Sequence, residues 1–164
     1  MIKMPKEKSL TELKKEYGDL QKRYSLPSFE KLNEEFDIER IIDKETDFLL
    51  RGIRRNISQK AINFMQFLEG LINPNFASMA ALSLLKSINE KDKELINKCY
   101  EKIFDLELKS LMLEIEYNEK AEAEFIKTSA KAWEEIRADL KQLINNAEKV
   151  WRKKMSEEKL NYFG

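Results

Sequence analysis

The chain has 164 residues, the length of one ordinary domain. Its 30 Lys and Arg side chains balance 30 Asp and Glu side chains, and this zero net charge argues against long-range attraction to nucleic acid or anionic membranes. Four glycines and three prolines are too few for the tight turns of β-sandwiches, barrels or glycine-loop nucleotide folds. The chain has no histidine, which excludes histidine-based general-base catalysis, catalytic triads and the usual zinc sites.

Cysteine usage and the first residues bear on the compartment. The single cysteine, Cys99, cannot form an internal disulfide, which is typical of a reducing interior. Residues 1–6 lack the apolar core of a signal peptide, and no apolar stretch reaches the length needed to span a bilayer. We therefore expect a cytoplasmic protein that does not associate with membranes.

The first predicted elements form a helical hairpin. An apolar residue recurs every three or four positions from Leu10 to Tyr24, and Ser9 to Glu12 has the form of a capping box. A proline at position 27 predicts that this helix ends near Tyr24. Ser28 can then cap a short second helix that ends near residue 36.

Residues 38–72 carry the longest helical pattern of the first half. The pattern fits one long helix, with a break near residues 43–46 as the alternative, and Gly52 weakens its continuity. The Asn-Pro-Asn sequence at 73–75 ends the helix. Residues 76–88 follow with Lys86 as their only charge, and this segment predicts a helix that is buried or that binds a partner.

The second half predicts two long helices separated at Asn118, because it has no proline and no glycine before Gly164. The first of them carries two apolar stripes, which predicts contacts with two neighbours. On the second, Trp133 and Trp151 lie five turns apart on one face, where packing is the favoured interpretation. The stripes are Leu95, Cys99, Ile103, Leu106, Leu113 and Tyr117, and Ile96, Tyr100, Leu108, Leu111 and Ile115.

Together these elements predict the fold class and the domain organisation. Long helices with short connections favour an all-α fold, an antiparallel bundle of five to six helices with the N-terminal helical hairpin packed on it. No long linker or internal repeat divides the chain, so residues 1–164 are expected to form a single domain. Residues 1–8 and 156–164 are expected to fray.

The sharpest basic cluster is Arg51, Arg54 and Arg55, and it is a candidate anion-binding site. Arginines one turn apart can clamp a phosphate or a partner's carboxylate. A second interpretation is favoured, however. Asp43 and Asp47 continue the spacing of four toward Arg51 and Arg55 with the acids on the N-terminal side, which is the favourable order for ion pairs within one helix. The cluster would then be a self-neutralised surface stripe.

An acidic run follows at residues 114–124. Carboxylates on facing bundle helices can hold metal ions, so Glu116, Glu119 and Glu122 define a possible carboxylate-metal hydrolase. A di-iron centre would need histidine. The pattern of helical nucleotide pyrophosphohydrolases would need a second acidic pair, which Glu135 and Asp139 do not match in spacing. A solvated face is therefore favoured, and we expect no metal and no cofactor.

Excess apolar helix surface is the most informative functional signal. It favours a non-enzymatic interaction or scaffold module whose partner is a protein, and a second copy in a homodimer is one such partner. The alternative is a nucleic-acid-binding accessory protein that uses Arg51, Arg54, Arg55 and the basic residues at 149–154. The candidate partner-binding residues are Ile62, Met65, Phe67, Phe76, Met79, Leu82 and Leu85.

Two segments resemble small uncharacterised all-helical proteins of archaea. These segments are LPSFEKLN at residues 26–33, followed by Phe36, and FLLRGIRR at residues 48–55. The resemblance covers about the first half of the chain. It implies a cytoplasmic, archaeal setting, and it carries no activity, catalytic residue or ligand.

Overall fold

The computed structural model describes residues 9–44 and 47–163, without the side chains at positions 76, 80, 83, 162 and 163. Within these residues the fold is all-α and contains no strand, so the predicted helix bundle with an N-terminal hairpin is confirmed. Two short 3-10 helices, Ile38–Asp43 and Pro74–Phe76, complete the secondary structure. The six α-helices are α1 (Leu10–Tyr24), α2 (Phe29–Phe36), α3 (Leu49–Ile72), α4 (Met79–Leu85), α5 (Glu90–Ile115) and α6 (Glu119–Phe163).

Serine caps start both helices of the hairpin, as predicted. The Ser9 hydroxyl accepts a hydrogen bond from the backbone N–H of Glu12 at 3.2 Å, and Ser28 accepts one from Lys31 at the same distance. These bonds satisfy N–H groups that have no partner inside the helix. Helix α1 ends at Tyr24, and the next residue, Ser25, adopts the left-handed conformation with φ of 54°.

Aromatic packing joins α1 to α2. Tyr17 is fully buried, and its ring meets the edge of Phe29 with the two centroids 5.7 Å apart. The Tyr17 hydroxyl donates a hydrogen bond to the carbonyl oxygen of Pro27 in the connecting turn. The ring and the hydroxyl of one residue therefore fix both the packing of the hairpin and the path of its turn.

The pattern from residue 38 to residue 72 is not one continuous helix, and the alternative of a break ahead of the long third helix is the correct one. The 3-10 helix ends at Asp43, and α3 begins at Leu49. Two residues of the predicted break, 45 and 46, lie outside the described residues. Helix α3 continues through Gly52 and ends as expected before Asn73, whose side-chain oxygen accepts a hydrogen bond from the N–H of Asn75 at 3.1 Å.

Side-chain caps also define the starts of the last three helices. Ser78 caps the short helix α4, and its hydroxyl accepts a hydrogen bond from the N–H of Ala81 at 3.1 Å. Asn89 accepts from Asp92 at the start of α5, and Asn118 accepts from Ala121 at the start of α6, both at 2.9 Å. The predicted turn at Asn118 is thereby confirmed.

The described contacts divide the chain into two compact units. The first unit is Met1–Ile62 with Leu106–Ala132, and the second is Asn63–Asp105 with Trp133–Gly164. The boundary falls inside helices and not in a linker, and the predicted single domain stays a prediction. Helix α6 continues to Phe163, and residues 156–161 are exposed. Fraying of that end stays a prediction, and residues 1–8 and 164 lie outside the described residues.

Buried apolar residues occur in both units. Those of the first unit include Leu13, Leu32, Ile53, Ile57 and Ile126. Those of the second unit include Leu68, Cys99, Ile103, Trp133 and Ile136. Because the apolar residues occupy faces of amphipathic helices, no described helix has an uncharged apolar run long enough to cross a bilayer.

Candidate functional site

A fully buried arginine lies at the centre of a polar network in the first unit. The side chain of Arg54 on α3 has no exposed surface. Its guanidinium donates hydrogen bonds to Glu122 on α6 at 2.7 Å, and on α5 to the Ser110 hydroxyl and Glu114, both at 2.8 Å. A buried guanidinium requires such acceptors, because taking its charge out of water is otherwise too costly. The network thus connects three helices through one side chain.

Glu114 collects hydrogen bonds from all three arginines of the basic cluster. Arg55 donates to both of its oxygens at 2.7 and 2.9 Å, and Arg51 donates at 3.3 Å. These bonds, first from Arg55 and then from Arg54, hold the pKa of the Glu114 carboxyl well below its usual range. At neutral pH this residue is therefore a carboxylate that accepts hydrogen bonds from three guanidinium groups.

The predicted ion pairs within one helix are wrong. Asp43 and Asp47 precede α3 and do not belong to it, so neither can form an ion pair within that helix. The partner of Arg51 and Arg55 is Glu114 on another helix. The prediction that Arg54 belongs to an anion-binding site is also wrong, because its guanidinium is inaccessible to solvent. Anion binding by Arg51 and Arg55 stays a prediction.

The acidic run is not a uniform solvated face, because Glu122 is fully buried. Burial raises the pKa of Glu122, while the hydrogen bond from Arg54 opposes the shift. One carboxylate oxygen of Glu122, Oε1, is buried without a hydrogen-bond partner. This orphaned acceptor makes the Arg54–Glu122 pair costly to bury and sensitive to substitution.

The three carboxylates considered for a metal site have separate surroundings. Glu119 accepts hydrogen bonds from the Tyr24 hydroxyl at 2.6 Å and from Arg23 at 3.2 Å. Glu122 pairs with Arg54, and Glu116 is exposed. In the part of the chain that the structure describes, no group of three or more Asp, Glu or Cys side chains is arranged to hold a metal ion.

Cys99 is a core residue, as the sequence predicted. It is fully buried on α5, and burial, with a smaller contribution from the nearby Asp139 carboxylate, raises the pKa of its thiol to about 11. The nucleophilic form of cysteine is the thiolate. At neutral pH Cys99 therefore remains a protonated and unreactive thiol.

An apolar groove opens on the surface of the second unit. It has a volume of about 510 Å³, and its lining includes the polar residues Asn63 and Glu148. The ring of Phe64, which lines the groove, lies 5.7 Å from the ring of the buried Trp133. Trp151, predicted to pack like Trp133, instead lines the groove and is 41% exposed. The apolar lining consists of Phe64, Phe67, Leu84, Ile144, Ala147 and Trp151.

The predicted partner-binding residues have different surroundings. Phe67 lines the apolar groove. Met79 and Leu82 on α4 are exposed. The side chains of Ile62, Met65 and Leu85 are partly covered, and the side chain of Phe76 lies outside the described residues. The structure thus supports an uncovered apolar surface at some of these positions without bringing all of them together.

The most exposed apolar row of the first unit was not among the residues predicted to bind a partner. Leu108, Leu111, Met112 and Ile115 on α5, here called the α5 stripe, are 48%, 50%, 65% and 80% exposed. Their spacing of three, one and three residues places them on one helix face. The sequence signal was present, because three of these residues belong to a predicted apolar stripe. Periodicity alone did not show that the stripe lacks a cover.

The basic end of α6 is partly neutralised by its own helix. Arg152 donates two hydrogen bonds to Glu148, at 2.9 and 2.6 Å. Such a pair four residues apart is typical of a solvated helix surface. Together with the pairing of Arg51 and Arg55 to Glu114, it leaves less free positive charge for nucleic acid than the sequence suggests.

Comparison of the chain with protein-family models, with curated proteins and with solved structures finds no match. The chemistry of the described side chains divides between a buried polar network in the first unit and uncovered apolar surfaces on each unit.

Proposed function

We propose that this protein is a non-enzymatic helical interaction module that associates with further copies of itself. The observation that carries the proposal is the α5 stripe. Four bulky apolar side chains on one helix face are left in water, and exposed apolar rows of this kind mark protein–protein contacts. The polar residues flanking the row, such as Lys109 and Glu116, are exposed as expected for the rim of a contact.

The energy available from the stripe supports association. The exposed fractions of its four side chains amount to about two and a half whole side chains. At about 2 kcal/mol for each fully buried side chain, covering them contributes about 5 kcal/mol. Association costs at least about 4 kcal/mol in lost translational and rotational freedom. A stable contact therefore needs further apolar surface on the opposing copy.

Sedimentation velocity over a range of micromolar concentrations tests the proposal. We expect the wild type to shift toward larger species as its concentration rises. Leu111→Lys should weaken this shift while the chain stays folded, because Leu111 is already half-exposed and a lysine there can keep its charge in water. Leu160→Lys is the matched control, since Leu160 is exposed near the end of α6 and outside both apolar surfaces. A wild type that remains monomeric throughout contradicts the proposal.

A further inference from the structure

The apolar groove and the α5 stripe match in length. The groove wall on α6 consists of Ile144, Ala147, Glu148 and Trp151, which follow one another with the same spacing as the four stripe residues. At a rise of about 1.5 Å per residue, each row extends about 10 Å along its helix. A helix lying along this wall would therefore bring the two rows into contact over their whole length.

The two surfaces also match in shape and chemistry. The stripe is a ridge of three long aliphatic side chains and a methionine on a convex helix face. The groove is concave, with Phe67 and Trp151 among its aromatic residues and the small Ala147 in its lining, where a small side chain admits a bulky one. Helices that bind in grooves use anchors at positions i, i+3, i+4 and i+7, which is the spacing of the stripe.

We infer that the α5 stripe of one copy occupies the apolar groove of a second copy. The inference rests on the self-association proposed above and names both halves of the contact. Such a contact joins unlike surfaces, so it forms either a reciprocal dimer or a longer head-to-tail assembly. It accounts for both uncovered surfaces at once. Two stripes packed against each other would leave Phe67 and Trp151 in water.

Complementation between two variants tests this contact. Phe67→Lys places a charge in the groove and keeps the stripe, whereas Leu111→Lys disrupts the stripe and keeps the groove. Each variant alone should associate at least about tenfold more weakly than wild type, as expected for a charge in a desolvated contact. An equimolar mixture should regain association through one intact stripe and one intact groove. Leu160→Lys should associate like wild type, alone and in mixtures.

The outcomes separate this inference from the proposed function. If Leu111→Lys prevents association and Phe67→Lys does not, the stripe pairs with another stripe. The inference is then wrong, and self-association stands. If the mixture associates no more strongly than either variant alone, although both variants keep wild-type helical circular dichroism and cooperative melting, the stripe does not occupy the groove. A monomeric wild type overturns both, including the case in which the groove serves a different protein.

Tryptophan fluorescence of the wild type gives a second readout that needs no substitution. Trp133 is already buried, whereas Trp151 is exposed in the groove. If the stripe fills the groove, the emission should shift to shorter wavelength as concentration rises, in parallel with sedimentation. Association without any change in emission overturns the inference, because Trp151 would then have remained in water.

Discussion

Replacing Arg54 by methionine should destabilise the protein far more than the loss of an ordinary ion pair. Methionine fills much of the same volume, but the fully buried Glu122 loses the partner that lies 2.7 Å away. Breaking a buried pair by removing one partner costs about 3 to 5 kcal/mol, because an uncompensated charge stays in the interior. For a chain of this size, about 4 kcal/mol corresponds to a melting temperature lower by about 8 to 16 °C.

A double variant distinguishes the cost of the stranded charge from the loss of packing. Arg54→Met combined with Glu122→Met removes both ions and keeps an apolar interior of similar volume. Such replacements are often neutral or stabilising relative to the ion pair. We therefore expect the double variant to be more stable than Arg54→Met by about 2 kcal/mol or more, although it carries one substitution more.

Urea unfolding followed by circular dichroism measures these differences, provided that the dependence of the unfolding free energy on urea is unchanged. Arg55→Met is the matched control. Arg55 also donates to Glu114, but its side chain is 53% exposed, so its loss should cost less than about 1 kcal/mol. The reasoning is refuted if Arg54→Met costs no more than Arg55→Met, or if the double variant is less stable than Arg54→Met.

The stability of Arg54→Met should also depend on pH, because the Glu122 carboxyl is left without its partner. Burial already raises the pKa of Glu122, and the loss of Arg54 removes an interaction that lowers it. A carboxyl whose pKa is raised by folding stabilises the fold below its unfolded pKa of about 4.3 and loses that contribution as pH rises through the folded pKa. The free energy of unfolding that Arg54→Met loses relative to wild type should therefore be larger at alkaline than at mildly acidic pH.

Three further predictions follow from single residues. Folding lowers the pKa of Glu114. Its contribution to the stability of the fold is therefore complete above the unfolded pKa of about 4.3 and is lost as pH falls through the folded pKa. Glu114→Gln should lower the urea midpoint at neutral pH and make that midpoint less dependent on pH in acid. The Cys99 thiol, buried and with its pKa raised to about 11, should react with a thiol reagent at neutral pH only as fast as the fold opens. Ser25 is exposed and has a positive φ, so Ser25→Gly should raise stability by about 0.5 to 1 kcal/mol in the same urea assay.

A specific result would contradict each of these three predictions. A Glu114→Gln variant with the wild-type acid dependence would mean that its arginine contacts do not persist in solution. Labelling of Cys99 at the rate of a free thiol peptide would contradict its burial. A Ser25→Gly variant that is less stable than wild type would mean that relief of the left-handed conformation does not outweigh the added freedom of the unfolded chain.

Helix boundaries could be predicted from the sequence because their causes are local. Ser9, Ser28 and Asn118 each precede a helix, and each accepts a hydrogen bond from the N–H three residues later. The residues that decide such a boundary lie within one helical turn. The apolar faces of the helices follow from spacing in the same way, so the fold class was accessible without coordinates.

The burial of Arg54 could not be predicted, because its partners are distant in the sequence. Ser110, Glu114 and Glu122 lie 56, 60 and 68 positions away. Periodicity assigns a residue to a helix face but does not identify the helix that covers that face. The α5 stripe shows the same limit. The sequence shows that its residues are apolar, but it does not show whether a neighbouring helix covers them.

The Arg54–Glu122 pair also affects how the first unit responds to heat. Hydration of ions becomes less favourable as temperature rises, so the penalty for keeping this pair out of water shrinks on warming. The stabilisation from aliphatic contacts does not gain in the same way and levels off. The interior around Arg54 should therefore retain a larger share of its room-temperature stability in hot solution than an equally large interior made only of leucine and isoleucine.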